Sequence, residues 1–226
     1  LSEATAAELG KLGAKDVRVI PIGPYADPYT ITLSRAEARA SLGFGEDDVV
    51  MSLIGRIEEY KGADSLLMAV GQLPSSSKIK LLLVGVCVDE SYREKVSRLV
   101  DETQHRTVSR LEWVPDEEIA RYFQATDVAV FPFREITNSA SLLLAQSFAK
   151  PIIIPDLPAL RDIPDEAVIR FDGRVESLVD ALQSAEHLSD AQYQSMSDAG
   201  LRWATRFSWT SIAETTIAAY EEALRG

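Results

Sequence analysis

The chain has 226 residues, enough to bury a sizeable core in one large domain with appendages. Its apolar and charged fractions are those of an ordinary globular protein, which sets disordered and fibrous classes aside. Twenty-three basic residues against thirty-five acidic ones leave a net charge of −12, which repels polyanions, so no nucleic acid is expected as a partner.

Along the chain, residues 2–12 (SEATAAELGKL) read as a helix, because Ala and Leu favour it and the Ser2 hydroxyl can cap its start. VRVIPIG, residues 17–23, reads as a short strand ended by Pro and Gly. Ser34 and Glu37 form a capping box that opens a short helix closing near Gly43. From Val49 a rhythm sets in: VVMSLI, ADSLLMAVGQL, IKLLLVG, ESYREKVSRLVDE, VSRLEWV, DEEIARYFQA, DVAVF, SASLLLAQSFA, PIIIP, a turn region, AVIRF and VESLVDALQSAEHL. Short unbroken apolar runs alternate with segments of helical period. Continuous apolar strands are what a parallel sheet covered on both faces requires, since neither side meets water. The pattern predicts a doubly wound α/β fold, a mostly parallel Rossmann-like sheet with helices on both faces. From Ser189, itself in a second capping box with Gln192, two further helices follow, broken near Phe207-Ser208-Trp209.

In such a sheet ligands collect at the carboxyl ends of strands, where helix N-termini carry exposed amides. GRIEEYKG, residues 55–62, lies at one such end. Gly55 lets the chain turn and Gly62 marks the next helix. Between them Arg56 and Lys61 can meet phosphate oxygens as a fork and as a point charge. The alternative is that both pair with Glu58, Glu59 or Asp64 on the surface. If the pair serves an anion, Glu58 and Glu59 should turn outward while Arg56 and Lys61 turn in. A second candidate follows DVAVFPF: Asn138 or Ser139 can cap a helix whose first amides, around Ala140, Ser141 and Leu142, form an anion seat, or simply start a core helix. A third is the strand end at Trp113 and Val114. Trp113 reads as core from the area it buries, with a ligand platform as the alternative. Gly85 is either a plain turn or a point of close approach.

Other chemistries are poorly signalled. GxxxxGK[ST] and GxGxxG are absent, and so is a GxSxG elbow. His105 and His187 lack paired ligand spacing and there is no Asp-x-Asp clamp, so no metal and no cofactor are expected. The longest apolar runs, such as residues 152–154, fall far short of the roughly 20 residues of a membrane helix. The single Cys87 reads as a buried small hydrophobe and fits a reducing cytoplasm. The start, Leu-Ser-Glu, has neither an initiator methionine nor a signal pattern, and a piece of a longer protein is expected.

Taken in order, SEAT and VRVIPIG, GRIEEYKGADSLL, LLLVG, WVPDEEIARYFQATDVAVFPF, SFAKPIIIPD and RFSWTSIAETTIAAYEEAL resemble the C-terminal, donor-binding domain of a GT-B fold glycosyltransferase of the group 1 / family 4 type. The likeness runs almost end to end. It implies that Arg56 and Lys61 hold the diphosphate of a nucleoside-diphosphate sugar and stabilise charge on the leaving nucleotide, with Gly55 and Gly85 beside them. It also puts the base near Trp113 and Val114, and phosphate or sugar oxygens near Asn138, Ser139, Ala140, Ser141 and Leu142. It divides the chain into a tail helix of a preceding acceptor domain (1–16), the donor domain (17–206) and a closing helix that packs back across (207–226). The place it implies is cytoplasmic, with any contact to a membrane made through the missing domain. The isolated chain is expected to bind nucleotide and transfer no sugar.

One departure stands out. Relatives carry two glutamates whose places fall here at Ile136 and Leu144, and neither is acidic. Glu135, one position earlier, replaces the first only if the loop is rephased. Losing a charged hydrogen bond to the ribose costs roughly 1.5–3 kcal/mol. The rival reading is therefore a glycosyltransferase-like module that no longer uses a donor and serves as an assembly or regulatory partner.

Overall fold

The computed structural model describes residues 3–15, 17–25, 29 and 31–225. Among them the strands are β1 (Val49–Ile54), β2 (Ile79–Val84), β3 (Thr107–Arg110), β4 (Val128–Val130), β5 (Ile152–Pro155) and β6 (Val168–Phe171). The helices are α1 (Glu3–Lys11), α2 (Arg35–Leu42), α3 (Ala63–Gly71), α4 (Glu90–Glu102), α5 (Asp116–Ala125), α6 (Ala140–Ser147), α7 (Val175–Glu186), α8 (Asp190–Ala204) and α9 (Trp209–Arg225). The strands form one parallel sheet in the order β3-β2-β1-β4-β5-β6. The unbroken apolar runs have the anticipated cause: Met51, Leu53, Leu81 and Leu83 enter the core under α3, α4 and α7, while Val50, Ile54, Leu82 and Val84 enter the one under α2, α5, α6 and α8. The doubly wound α/β architecture and its C-terminal helices are as the sequence predicts.

Helix ends follow the sequence closely. The Ser34–Glu37 and Ser189–Gln192 capping boxes both form, and α2 stops at Gly43 in the left-handed region with φ 81°. The Ser2 cap lies outside the described residues. Helix α6 ends in a Schellman pattern, with the Lys150 N–H donating to Ala145 O (3.1 Å) and the Ala149 N–H to Gln146 O (2.9 Å), but the left-handed position is Ala149 at φ 53°. An L side chain is strained there. Ala149→Gly should raise stability by about 0.5–1 kcal/mol in urea denaturation, and a loss of stability would contradict the strain.

Two strand expectations are corrected. Residues 17–23 join no sheet, although they are apolar. Pro21 cannot donate to a ladder, and the segment runs instead against α9: Arg18 pairs with Glu222, and the Trp209 indole N–H donates to the Pro24 carbonyl at 3.0 Å. VSRLEWV is a strand only to Arg110, because β2 ends opposite it at Val84 and nothing remains to pair with Leu111 onward.

At the opposite end of the sheet from the strands' carboxyl ends, Arg39 is buried and fans out to Ala125 O (3.2 Å), Glu46 O (3.3 Å), Asp48 O (2.9 Å) and the Asp127 carboxylate. Lys150 lies nearby and donates to Thr126 O at 2.9 Å. Burial pushes its ammonium from the ordinary 10.5 down to about 8. The unfolded chain therefore binds the extra proton between those values, and stability gains from Lys150 as pH rises from about 8 to 10.5. Lys150→Met should remove this increment, seen as the difference between the two proteins' stability–pH curves; parallel curves would refute it.

Candidate functional site

The chain winds from β1 outward through β2 and β3, then crosses back to β4 and winds the other way through β5 and β6. Loops leaving the carboxyl ends of β1 and β4 diverge, and the crevice between them is where an open α/β sheet receives a ligand. GRIEEYKG follows β1, and residues 131–139 follow β4 and lead into α6.

Backbone contacts set the shape of this crevice. A Cβ on Gly85 (φ 140°) would stand 1.9 Å from the Gly55 carbonyl oxygen, so the turns after β2 and β1 touch directly. Gly85 is thus a point of close approach, made by protein backbone. On the other wall, a Cβ on Gly62 (φ 70°) would stand 2.1 Å from the Pro132 carbonyl oxygen. Between the walls, Glu59–Lys61 forms a single 3-10 turn that precedes α3.

The two cations in the loop behave differently. The Lys61 ammonium is partly buried, lies 5.9 Å from the Tyr60 ring centre, and makes no ion pair or hydrogen bond among the described residues. Burial lowers its pKa, more than the nearby Glu58 charge lifts it. Arg56 instead points outward, 63% exposed, and pairs with Glu58 at 3.0 Å. Glu59 pairs with Arg134 at 3.2 Å. The expectation that both cations turn in is corrected: Arg56 leaves Gly55 toward solvent, and extended backbone at Glu58 (φ −128°, ψ 153°) brings that carboxylate to its side.

Across the crevice, Ser139 caps α6, its hydroxyl accepting the Leu142 N–H at 3.2 Å. Asn138 is exposed and does not cap. Leu142 thereby loses its amide as a free donor, which leaves the Ala140 and Ser141 N–H groups without an intrahelical acceptor. A methyl group on Gly55 would sit 2.6 Å from Ser141 Oγ and 3.8 Å from Lys61 Nζ. Lys61, Ser141 and the start of α6 therefore border one small space at the end of β1. The arrangement offers a cation, a hydroxyl and two amides to an anion.

Trp113 is 68% exposed, which corrects its reading as core. Past Arg110 the chain has left the sheet, and Val114, not Trp113, turns into the core. Glu135 is exposed beside a groove of about 340 Å³ between α1 and residues 134–137 and 157–159. Ile136 and Leu144, where the resemblance led one to expect glutamates, pack against the core under α6. Among the described residues no His, Cys, Asp and Glu cluster is arranged to hold a metal. Cys87 is buried, and burial raises its thiol pKa.

Sequence reasoning missed Arg134 and the surroundings of Asp64. Asp64, only 2% exposed in the first turn of α3, accepts from Tyr92 OH (2.9 Å), Lys95 Nζ (2.6 Å) and Arg134 (2.6 Å). Burial alone would raise its carboxyl pKa, but these hydrogen bonds hold it below the usual range. Arg134 also donates to Glu59 O at 2.8 Å, and its own N–H to Tyr60 O at 2.8 Å. An acidic residue two places after the helix-opening glycine looks like an ordinary dipole partner, and nothing local marks it as buried.

Residues 34–203 match the family model described as glycosyl transferases group 1. The chain belongs to that family. Relatives of this glycosyltransferase chain include the D-inositol 3-phosphate glycosyltransferase of Thermobifida fusca, 28% identical over 94% of the chain and 51% of that protein. The protein of the same name from Segniliparus rotundus is 27% identical over 85% of the chain and 44% of that protein. The chain spans about half the length of these curated relatives. Its fold is also that of a sucrose-phosphate synthase from Thermosynechococcus elongatus (TM-score 0.80, 24% identity, 99% of this chain and 57% of that one). Anabaena HepE, solved in complex with UDP and glucose, is similar at TM-score 0.80 and 17% identity over 97% of this chain and 61% of that one. Among the described residues of the glycosyltransferase chain, no helix is long and apolar enough to cross a membrane.

Proposed function

We propose that this chain is the donor-binding half of a glycosyltransferase that moves a sugar from a nucleoside-diphosphate sugar to an acceptor in polysaccharide or glycoconjugate synthesis. The observation that carries this reading is that the Lys61 ammonium, without an ion pair or hydrogen bond among the described residues, and the Ser141 hydroxyl at the start of α6 both lie against Gly55 at the end of β1. Opposed positive groups fit the diphosphate, whose charge grows as the glycosidic bond to the sugar breaks. A positioned cation in a dry crevice is worth on the order of 3 kcal/mol against that charge. Lys61 then carries most of the electrostatic work, and Arg56 contributes after exchanging Glu58 for phosphate. Charge neutralisation by cation and helix amides needs no metal. The exposed Trp113 ring, past the end of the edge strand β3, offers a base a stacking face.

On this reading residues 1–16 and 207–226 link to an acceptor domain, and the chain by itself transfers no sugar. The chemistry fits a cytoplasmic setting, where nucleotide sugars are made. Calorimetric titration with UDP, GDP and ADP tests it: one should bind, with saturable heat, and no turnover should follow. Silence from all three even at millimolar concentration would sink donor binding, and sugar transfer by the chain alone would sink its division of labour.

A second reading has its own observation. Ile136 and Leu144, at the places the family resemblance gives to acids, pack on the core, which would leave a ribose without a charged partner. A module that has abandoned the donor and serves assembly or regulation would show no nucleotide heat.

A further inference from the structure

We propose that Arg134 is a positioning residue that keeps Lys61 free by holding Asp64 and Glu59, two of the three carboxylates in its loop. The inference rests on the donor-binding reading of the crevice. Asp64 and Glu59 flank Lys61 in sequence at three and two residues' distance, and both accept from the same guanidinium. One nitrogen of Arg134 reaches Asp64 at 2.6 Å, and the other reaches Glu59 at 2.8 Å to the carbonyl and 3.2 Å to the carboxylate. Lys95 and Tyr92 complete the shell around Asp64, so that buried acid has no oxygen left for the loop. The remaining acid, Glu58, is held by Arg56. Every carboxylate of the 55–64 stretch is therefore paired, and among the described residues Lys61 is its one cation without an ion pair or hydrogen bond, with the Tyr60 ring beside it and the Glu58 charge at longer range.

The same guanidinium ties the loop to the opposite wall. Arg134 sits in the segment that leads from β4 to α6, its backbone N–H bonded to Tyr60 O, while Phe133 stacks on Tyr60 with ring centres 6.5 Å apart. A planar fork can bridge two acceptors in fixed geometry, which a lysine ammonium cannot. Removing it frees Glu59 to swing to Lys61, neutralising the cation and repelling a diphosphate at once.

Two measurements on the full chain test this. In the unliganded protein, Arg134→Gln should raise the titration point of Lys61, read by ¹³C NMR of labelled lysine side chains, because a released carboxylate stabilises the ammonium. Adding Glu59→Gln should bring it back down, which simple loosening of the fold would not do. With whichever of UDP, GDP or ADP binds the parent, Arg134→Gln should weaken affinity roughly tenfold, and the loss should nearly vanish in a Lys61→Ala background, since coupled residues are not additive. Arg134→Lys should recover only part of it, and it serves in place of the glutamine variant if that fails to fold. An unmoved Lys61 titration, or an equal loss with and without Lys61, overturns the proposal. If the parent binds no nucleotide, donor binding fails while the Lys61 titration still decides the role of Arg134.

Discussion

Lys61→Ala is expected to cost about 2–3 kcal/mol of nucleoside-diphosphate affinity, roughly 30- to 150-fold, while Arg56→Ala costs under about 1 kcal/mol. The two residues share a loop and a charge, so only their surroundings separate them. Lys61 is partly buried, gives up no ion pair on binding, and lies near Gly55 together with Ser141 of the α6 start. Arg56 is 63% exposed and must first leave Glu58. Folding should respond the opposite way, since deleting a partly buried, unpaired ammonium is neutral or mildly stabilising. Calorimetry with the nucleotide that binds, alongside urea denaturation of each variant, reads both effects. Equal losses from the two substitutions would return Arg56 to the crevice. An unchanged affinity in Lys61→Ala would take the anion elsewhere.

Arg39→Ala should destabilise the fold by about 3–5 kcal/mol, well above the effect of Ala149→Gly or Lys61→Ala on stability. Arg39 is 3% exposed and joins α2 to the entry of β1 and to Ala125 and Asp127 ahead of β4. Its removal leaves the buried Ala125 carbonyl and the part-buried Glu46 and Asp48 carbonyls without this donor, and takes one of two ion-pair partners from Asp127, the other being the more exposed Arg35. Arg39→Lys keeps the charge without the fork and should recover only part of the loss. A change under 1 kcal/mol would mean that the carbonyls find water instead. Because this knot lies at the far end of the sheet, nucleotide affinity of the folded variant should hold.

The sheet was legible because its strands are buried on both faces, so VVMSLI, IKLLLVG and PIIIP each appear as an uninterrupted apolar run between helical segments. The same cue misled at VRVIPIG, which joins no sheet and meets α9 through Arg18, Gly23 and the following Pro24 carbonyl, contacts between segments about two hundred residues apart. Trp113 misled for a related reason: its size argues for burial, but the neighbouring strand β2 has already ended, and no local pattern announces that. Within the crevice, the loop and the α6 cap could be located from Gly55, Gly62 and Ser139. Which of Arg56 and Lys61 faces inward could not, because the answer depends on Arg134, seventy-odd residues downstream, claiming Glu59 and Asp64.

The contact of Gly62 with the Pro132 carbonyl, like that of Gly85 with Gly55, means that main chain rather than side chains spaces the walls of the crevice. Side-chain walls relax by changing rotamer, whereas main chain anchored in a parallel sheet has no such freedom. A ligand entering here orders little that is not already ordered, so less of its binding energy is lost to immobilising loops. Variants of the chain with altered ligand preference should therefore arise by changing what protrudes into the crevice, at Lys61 or Ser141, rather than by changing its width.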